Sequence, residues 1–260
     1  MGNVTFDRIA RNLGAAALAL GLLVLPGTRA FAAIEACPAV PVFPAISLPH
    51  LRAALEHRVE GLVVALGSSS TQGVMASDLA HSYPALLQQL LSAGLPQAHI
   101  AVINRGIGGQ DAAEELARLD ADVIALRPQA VIWQVGANGA LRDVDPAVFR
   151  DLVSRGVGKL QAAGIDVVLM DNQQSPRLLA IPDEPLLDRA LADVAADTGA
   201  ALFSRRTLMR SWERGGDPLT EFIAADGLHQ NDHGYLCVST VLAHSILAGL
   251  IPHQPLTASR

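Results

Sequence analysis

The sequence has no Lys/Arg-rich run: nineteen basic residues are scattered among twenty-five acidic ones, for a net charge of -6. That excludes a surface built to track phosphates, so nucleic acid is not an expected partner. Aromatic residues are scarce, at 4%, which argues against a long groove stacking on sugar rings. Cysteine occurs only at positions 37 and 237. Neither lies in a glycine-rich turn or near a base in sequence, so a catalytic cysteine is not expected. Repeats and low-complexity tracts are absent. What remains is a chain of 260 residues, half of them hydrophobic, able to bury one large core in a single domain.

The first residues have the layout of an export signal. Arg8 and Arg11 precede an apolar stretch from Leu13 to Leu25, followed by Pro26 and Gly27 and then Ala30-Phe31-Ala32, which predicts cleavage after Ala32. The stretch is shorter than the roughly 20 apolar residues of a bilayer span and ends in a helix breaker, so no stable membrane span is expected after cleavage. Glu35 and Ala36 make Cys37 a poor acylation site. Removing Asp7, Arg8, Arg11 and Arg29 leaves -8 on the mature chain. A periplasmic or secreted bacterial protein follows, and in that oxidising setting Cys37 and Cys237 either pair or remain two buried thiols. A bridge closing so long a loop would contribute about 5 kcal/mol at most.

Four regions are expected: residues 1–32 as signal, 33–58 as a Pro-rich leader packed on the domain, 59–252 as the domain and 253–260 as a tail. Apolar runs predict strands at Leu62–Leu66, Ile100–Ile103, Val131–Val135, Ile165–Met170 and Ala200–Phe203. Between them, helices are predicted at Tyr83–Ala93, Ala112–Leu126, Pro146–Ala163 and Glu184–Asp197, and a last one at Asp232–Leu247. In the second helix Ala112, Ala113, Leu116, Leu119, Val123 and Ile124 share a face opposite Glu114, Glu115, Arg118 and Asp122, as a cover for a sheet requires. Alternation of this kind implies right-handed parallel crossovers and an α/β fold, a three-layer α/β/α sandwich.

Ligands of such sheets bind beyond the carboxyl ends of the strands, and four segments fall there. The first strand runs into Gly67-Ser68-Ser69-Ser70-Thr71-Gln72-Gly73. No Lys follows, so this is not a phosphate loop, and Thr71 stands where a GxSxG elbow needs glycine. The second segment is Asn104 to Asp111, whose glycines allow close backbone approach at a helix start; GxGxxG is absent, so a dinucleotide is not expected. In the third, Gly136-Ala137-Asn138-Gly139, Asn138 offers an amide donor in a turn. Asp226 and His229, three apart before the last helix, form the fourth. A carboxylate there can orient an imidazole as a serine's base, or simply cap the helix.

Taken together and in this order, the four blocks resemble the SGNH (GDSL-type) serine hydrolase family, over Gly67 to Tyr235. The resemblance implies a mainly parallel, flavodoxin-like sheet, with Ser69 as nucleophile, His229 as base and Asp226 orienting it. It also implies an oxyanion hole formed by the Ser69 N–H, the Gly109 N–H and the Asn138 side chain; spacing alone does not separate Gly109 from Gly108. In two places the chain departs from the usual pattern: Ser68 stands where Asp usually precedes the nucleophile, and Gly139 where Asp usually follows the asparagine. The five roles survive both changes, which fall on the polar network bracing the two loops.

The resulting expectation is an exported serine esterase acting on an acetylated glycan, a lysophospholipid or a short-chain acyl ester, with no cofactor and no metal. A glycan O-acyltransferase and a non-catalytic binding module on the same fold are the alternatives. His229 and His233, four apart with Asp226 and Asp232 nearby, are a metal candidate lacking a third ligand of clear spacing. Trp133 and Tyr235 are expected in the core, Trp212 is a candidate for stacking on a ligand, and Gln173, Gln174 and Ser175 are either pocket lining or plain loop.

Overall fold

The computed structural model describes residues 37–39 and 43–250. The expected signal, its cleavage point and the tail lie outside the described residues. Five strands form one sheet: β1 (Gly61–Gly67), β2 (Ile100–Gly106), β3 (Ala130–Gln134), β4 (Asp166–Met170) and β5 (Ala201–Phe203). They lie in the order β2-β1-β3-β4-β5 with all pairings parallel. Strand order reverses beside β1, so a crevice opens at the carboxyl ends of β1 and β3.

The helices are α1 (Pro49–Glu56), α2 (Ser69–Gln72), α3 (Tyr83–Gly94), α4 (Ala112–Ala117), α5 (Leu119–Asp122), α6 (Ala137–Leu141), α7 (Pro146–Ala162), α8 (Pro176–Leu179), α9 (Glu184–Thr198), α10 (Arg205–Gly215) and α11 (Asp232–Leu250). Alternation along the strands divides the apolar residues between two cores. Val63, Ala65, Ile132, Val168 and Met170 pack with residues of α1, α3, α10 and α11. Val64, Leu66, Val131, Trp133, Val167 and Leu169 pack with those of α4, α5, α7 and α9. A sheet covered on both faces explains why its strands read as unbroken apolar runs.

The leader is more structured than expected. It contains α1, whose first N–H groups, from His50 and Leu51, donate to Asp166 Oδ2 at the start of β4. Ile46 and Leu48 are buried, the Ile46 N–H donates to Ser245 O on α11, and Cys37 is disulfide-bonded to Cys237 of the same helix. The predicted helix over Ala112–Leu126 is broken: α4 ends at Ala117 with Arg118 as its cap, α5 follows, and a 3-10 turn spans Ile124–Leu126. Glu115, assigned to the outer face, is instead buried, its carboxylate accepting from Trp133 Nε1 at 2.8 Å.

Trp133 and Tyr235 are core residues as expected, but Trp212 is no stacking platform. Arg205, Leu208, Met209 and Trp212 are the buried side of α10, and the Trp212 ring centroid lies 4.5 Å from that of Phe222. Three- and four-residue spacing turns all four inward. α11 has the length and mean hydropathy, 1.3, of a membrane-crossing helix, yet 67% of that span is buried inside the protein. It is a core helix lying against α3.

Candidate active site

Ser69 is the first residue of α2, directly beyond β1, and Gly73 ends that single turn with φ +97°. The turn brings the carboxyl end of β2 very close. A Cβ on Gly106 would lie 2.1 Å from the Gln72 nitrogen, so only glycine fits there. Three serines compete by sequence, but geometry separates them. The Ser69 Oγ lies 2.7 Å from His229 Nε2, while the Ser68 hydroxyl points to Gln134 Oε1 and Ser70 is buried.

His229 is held from its other side by Asp226, with Nδ1 2.5 Å from Oδ2. Asp226 Oδ1 accepts the backbone N–H of Leu228 and of His229, both at 3.0 Å. The carboxylate therefore shapes its own loop and also orients the ring. Burial pushes the Asp226 pKa up, but the His229 bond and the two backbone donors outweigh it and hold the group below its ordinary value. An ionised Asp226 only accepts, so Nδ1 carries the proton and Nε2 is left to accept from the Ser69 hydroxyl.

Two further turns face the same crevice. In the glycine turn the Gly108 N–H donates to Gln72 Oε1 at 2.9 Å. The Gly109 N–H has no protein acceptor among the described residues, and Gly109 itself has φ +82°. This distinguishes Gly109 from Gly108 as the free donor. Asn138, on α6 beyond β3, donates one Nδ2 hydrogen to Gln110 O at 2.8 Å, which leaves its second hydrogen available.

Several supporting residues were not apparent in the sequence. Gln134, the last residue of β3, accepts at Oε1 from the Ser68 N–H at 3.2 Å and from the Thr71 hydroxyl at 3.1 Å, bracing the nucleophile turn from below. A glutamine ending an otherwise apolar strand was the available signal. Arg118 donates to Gly67 O and to Gln110 Oε1, tying the nucleophile turn to the glycine turn. Gln173, Gln174 and Ser175 are buried in the loop after β4, the loop alternative of the sequence reading, and Gln174 Nε2 donates to Glu213 Oε2 at 2.6 Å. Gln173 Nε2 donates to Leu228 O at 2.9 Å, fastening the Asp226–His229 loop.

The metal candidates are not brought together. His229 engages Ser69 and Asp226, Asp232 Oδ1 accepts the Ser77 N–H, and the His233 ring stacks on Phe222. Cys37, His233 and Cys237 do cluster within 4.8 Å, but both sulfurs are bound in the disulfide.

Comparison with known proteins is consistent with this geometry. The model of the non-GDSL lipase-like family matches residues 36–251. An arylesterase of Vibrio mimicus is 30% identical over 115 residues, which cover 44% of this chain and 56% of that protein. Esterase TesA of Pseudomonas aeruginosa is 30% identical over 107 residues, 41% of this chain and 52% of that protein. The chain thus spans about half the length of these relatives. Among solved structures, a two-domain esterase active on acetylated mannans superimposes with a TM-score of 0.66 at 22% identity, over 78% of this chain and 54% of that one. An acetyl xylan esterase superimposes with a TM-score of 0.63 at 21% identity, over 71% and 99%. At these identities the structural likeness establishes the shared three-layer fold.

Proposed function

The chain belongs to the non-GDSL lipase-like family, and from that premise we propose that it is an exported serine esterase working through an acyl-enzyme on Ser69. Its substrate is an ester found outside the cytoplasm: an acetylated glycan, a lysophospholipid or a short-chain acyl ester. The observation that carries this reading is the unbroken relay from Ser69 Oγ to His229 Nε2 at 2.7 Å and from His229 Nδ1 to Asp226 at 2.5 Å. Esterases among the relatives and acetyl-glycan esterases among the structural neighbours support it.

Charge development dictates the steps. His229 takes the Ser69 proton as the oxygen attacks the ester carbonyl, and Asp226 stabilises the imidazolium that forms. The carbonyl oxygen becomes an anion held by the Ser69 N–H, the Gly109 N–H and the second Asn138 hydrogen. As the tetrahedral intermediate collapses, His229 returns the proton to the leaving alcohol. Water then enters, gives a proton to the same imidazole and attacks the acyl carbonyl, and as this second intermediate collapses the bond to Ser69 Oγ breaks, His229 returns the proton to that oxygen, and the acid leaves.

A p-nitrophenyl ester series of increasing chain length tests this. Wild type should hydrolyse the short esters, and Ser69→Ala should lose both turnover and labelling by a fluorophosphonate. Persistent labelling would place the nucleophile on another serine; a wild type inert towards every ester would leave a binding module. Added sugar acceptors separate transfer from hydrolysis.

A further inference from the structure

Arg142 lies one residue beyond α6, the helix that carries Asn138, and its backbone N–H closes that helix on Asn138 O. Its side chain crosses to the glycine turn. Nη2 donates to Gly109 O at 2.6 Å, and Nη1 donates to Asp111 Oδ2 at 2.6 Å and Glu114 Oε2 at 2.9 Å. Those two carboxylates already form a capping box, in which Asp111 accepts from Ala113 and Glu114 while Glu114 accepts from the Asp111 N–H. The next carbonyl along the turn, Gln110 O, accepts from Asn138. Two successive carbonyls of the glycine turn are therefore held from one short helix.

We propose that Arg142 is a positioning residue that joins the glycine turn and the asparagine turn into one preorganised oxyanion-binding unit; this rests on the esterase reading above. Packing does not hold Gly109 in place. It is exposed, a Cβ there would meet nothing within 4 Å, and its φ of +82° is open to glycine without penalty. Hydrogen bonds at its carbonyl must supply the order that packing does not. The guanidinium meets the carbonyl through Nη2 and the two carboxylates through Nη1, a division between two nitrogens that the single nitrogen of an ammonium does not reproduce. On the same short helix, a Cβ at Gly139 would approach Leu187 Cδ2 to 3.0 Å, so that position has little room for a larger residue.

The Arg142 side chain is about half exposed, 47%, so its ion pairs are individually weak contributors to global stability. Loss of the brace should consequently separate catalysis from folding. Arg142→Met is expected to lower kcat at least tenfold with KM within twofold and Tm almost unmoved, and Arg142→Lys should recover part of the loss. Affinity for a boronic acid that mimics the tetrahedral intermediate should fall in step with kcat/KM. Asn138→Ala alone should cost about a hundredfold, as loss of one oxyanion donor does. In that background Arg142→Met should cost much less than it does alone. Turnover within twofold of wild type, a loss that tracks Tm, or losses that multiply in full with Asn138→Ala would each overturn the proposal. Should wild type hydrolyse no ester, the esterase reading fails, and amide exchange then decides for Arg142. Faster exchange at Gln110 and Asp111, whose N–H groups bond Ile107 O and Glu114 Oε2, in Arg142→Met with α11 unchanged supports the brace, and unchanged exchange refutes it.

Discussion

Glu115 faces inward from α4 with its carboxylate against the indole of Trp133. Burial pushes its pKa well above the ordinary carboxylate value of 4.5, and neither the Trp133 bond nor the charge of Arg118 offsets this. The folded chain therefore holds this proton to higher pH than the unfolded chain does. The group's contribution to stability is full below about 4.5 and is lost as pH rises towards the folded pKa. Glu115→Gln keeps an acceptor for Trp133 Nε1 and removes the buried ionisation. The variant should match wild type in Tm near pH 4 and exceed it at pH 8, as thermal melts by circular dichroism would show; an equal difference at both pH values would refute the assignment. In the Ser69–His229–Asp226 relay, Asp226 and His229 stood out by their spacing before a helix, whereas Ser69 was singled out from Ser68 and Ser70 only by the family resemblance. Gln134 and Arg142 were not legible, since their partners Ser68 and Gly109 lie 66 and 33 residues away and nothing in the intervening sequence joins them.

Strand-to-helix junctions bear most of the architecture of the site, and the end of β2 packs tightly on α2, the turn that follows β1. Gly106 pairs with Gly67 in the parallel register, and its missing side chain makes room for the backbone of Thr71 and Gln72. Gly106→Ala would press a methyl into backbone atoms that cannot turn aside, so a loss of about 1–3 kcal/mol is expected, together with reduced turnover as α2 shifts Ser69. Gly158→Ala is the matched control. That glycine lies inside α7, a Cβ there meets nothing within 4 Å, and alanine should stabilise by up to about 1 kcal/mol. Urea melts of the pair test the contrast, and equal behaviour would mean that close approach is not what selects Gly106. The three central strands β1, β3 and β4 were readable because two-sided burial leaves no alternation to misjudge, and the half-buried edge strands β2 and β5 by their short apolar runs, whereas α10 was hidden by its arginines. Arg205, Arg206, Arg210 and Arg214 make the segment look like a solvated loop, although the buried positions 205, 208, 209 and 212 follow a helical period. Short helices such as α2 and α6 leave no periodic trace at all, being shorter than two turns.

The molecule is closed by its first described residue. Cys37 is bonded to Cys237 across a separation of 200 residues, and between the two ends the leader follows α11: Ile46 N–H bonds Ser245 O, and Gly249 has no room for a Cβ against Ile46 O. The bridge thus fastens a strap over the helix that follows the His229 loop, at a distance from the Ser69 hydroxyl set by rigid core packing. In chain-entropy terms so long a loop contributes up to about 5 kcal/mol, through the unfolded state. The double variant Cys37→Ser/Cys237→Ser should therefore melt well below wild type and lose ground first under urea. Turnover at 25 °C should stay within about twofold, since Asp226, His229 and Ser69 are ordered by contacts within their own loops and by Gln173. Treating wild type with a reductant before melting should reproduce the same shift, and should do nothing further to the variant. A Tm unchanged by either route would show that the strap is held by Ile46 and Leu48 alone. A fall in turnover without a fall in Tm would instead tie the bridge to the geometry of the His229 loop.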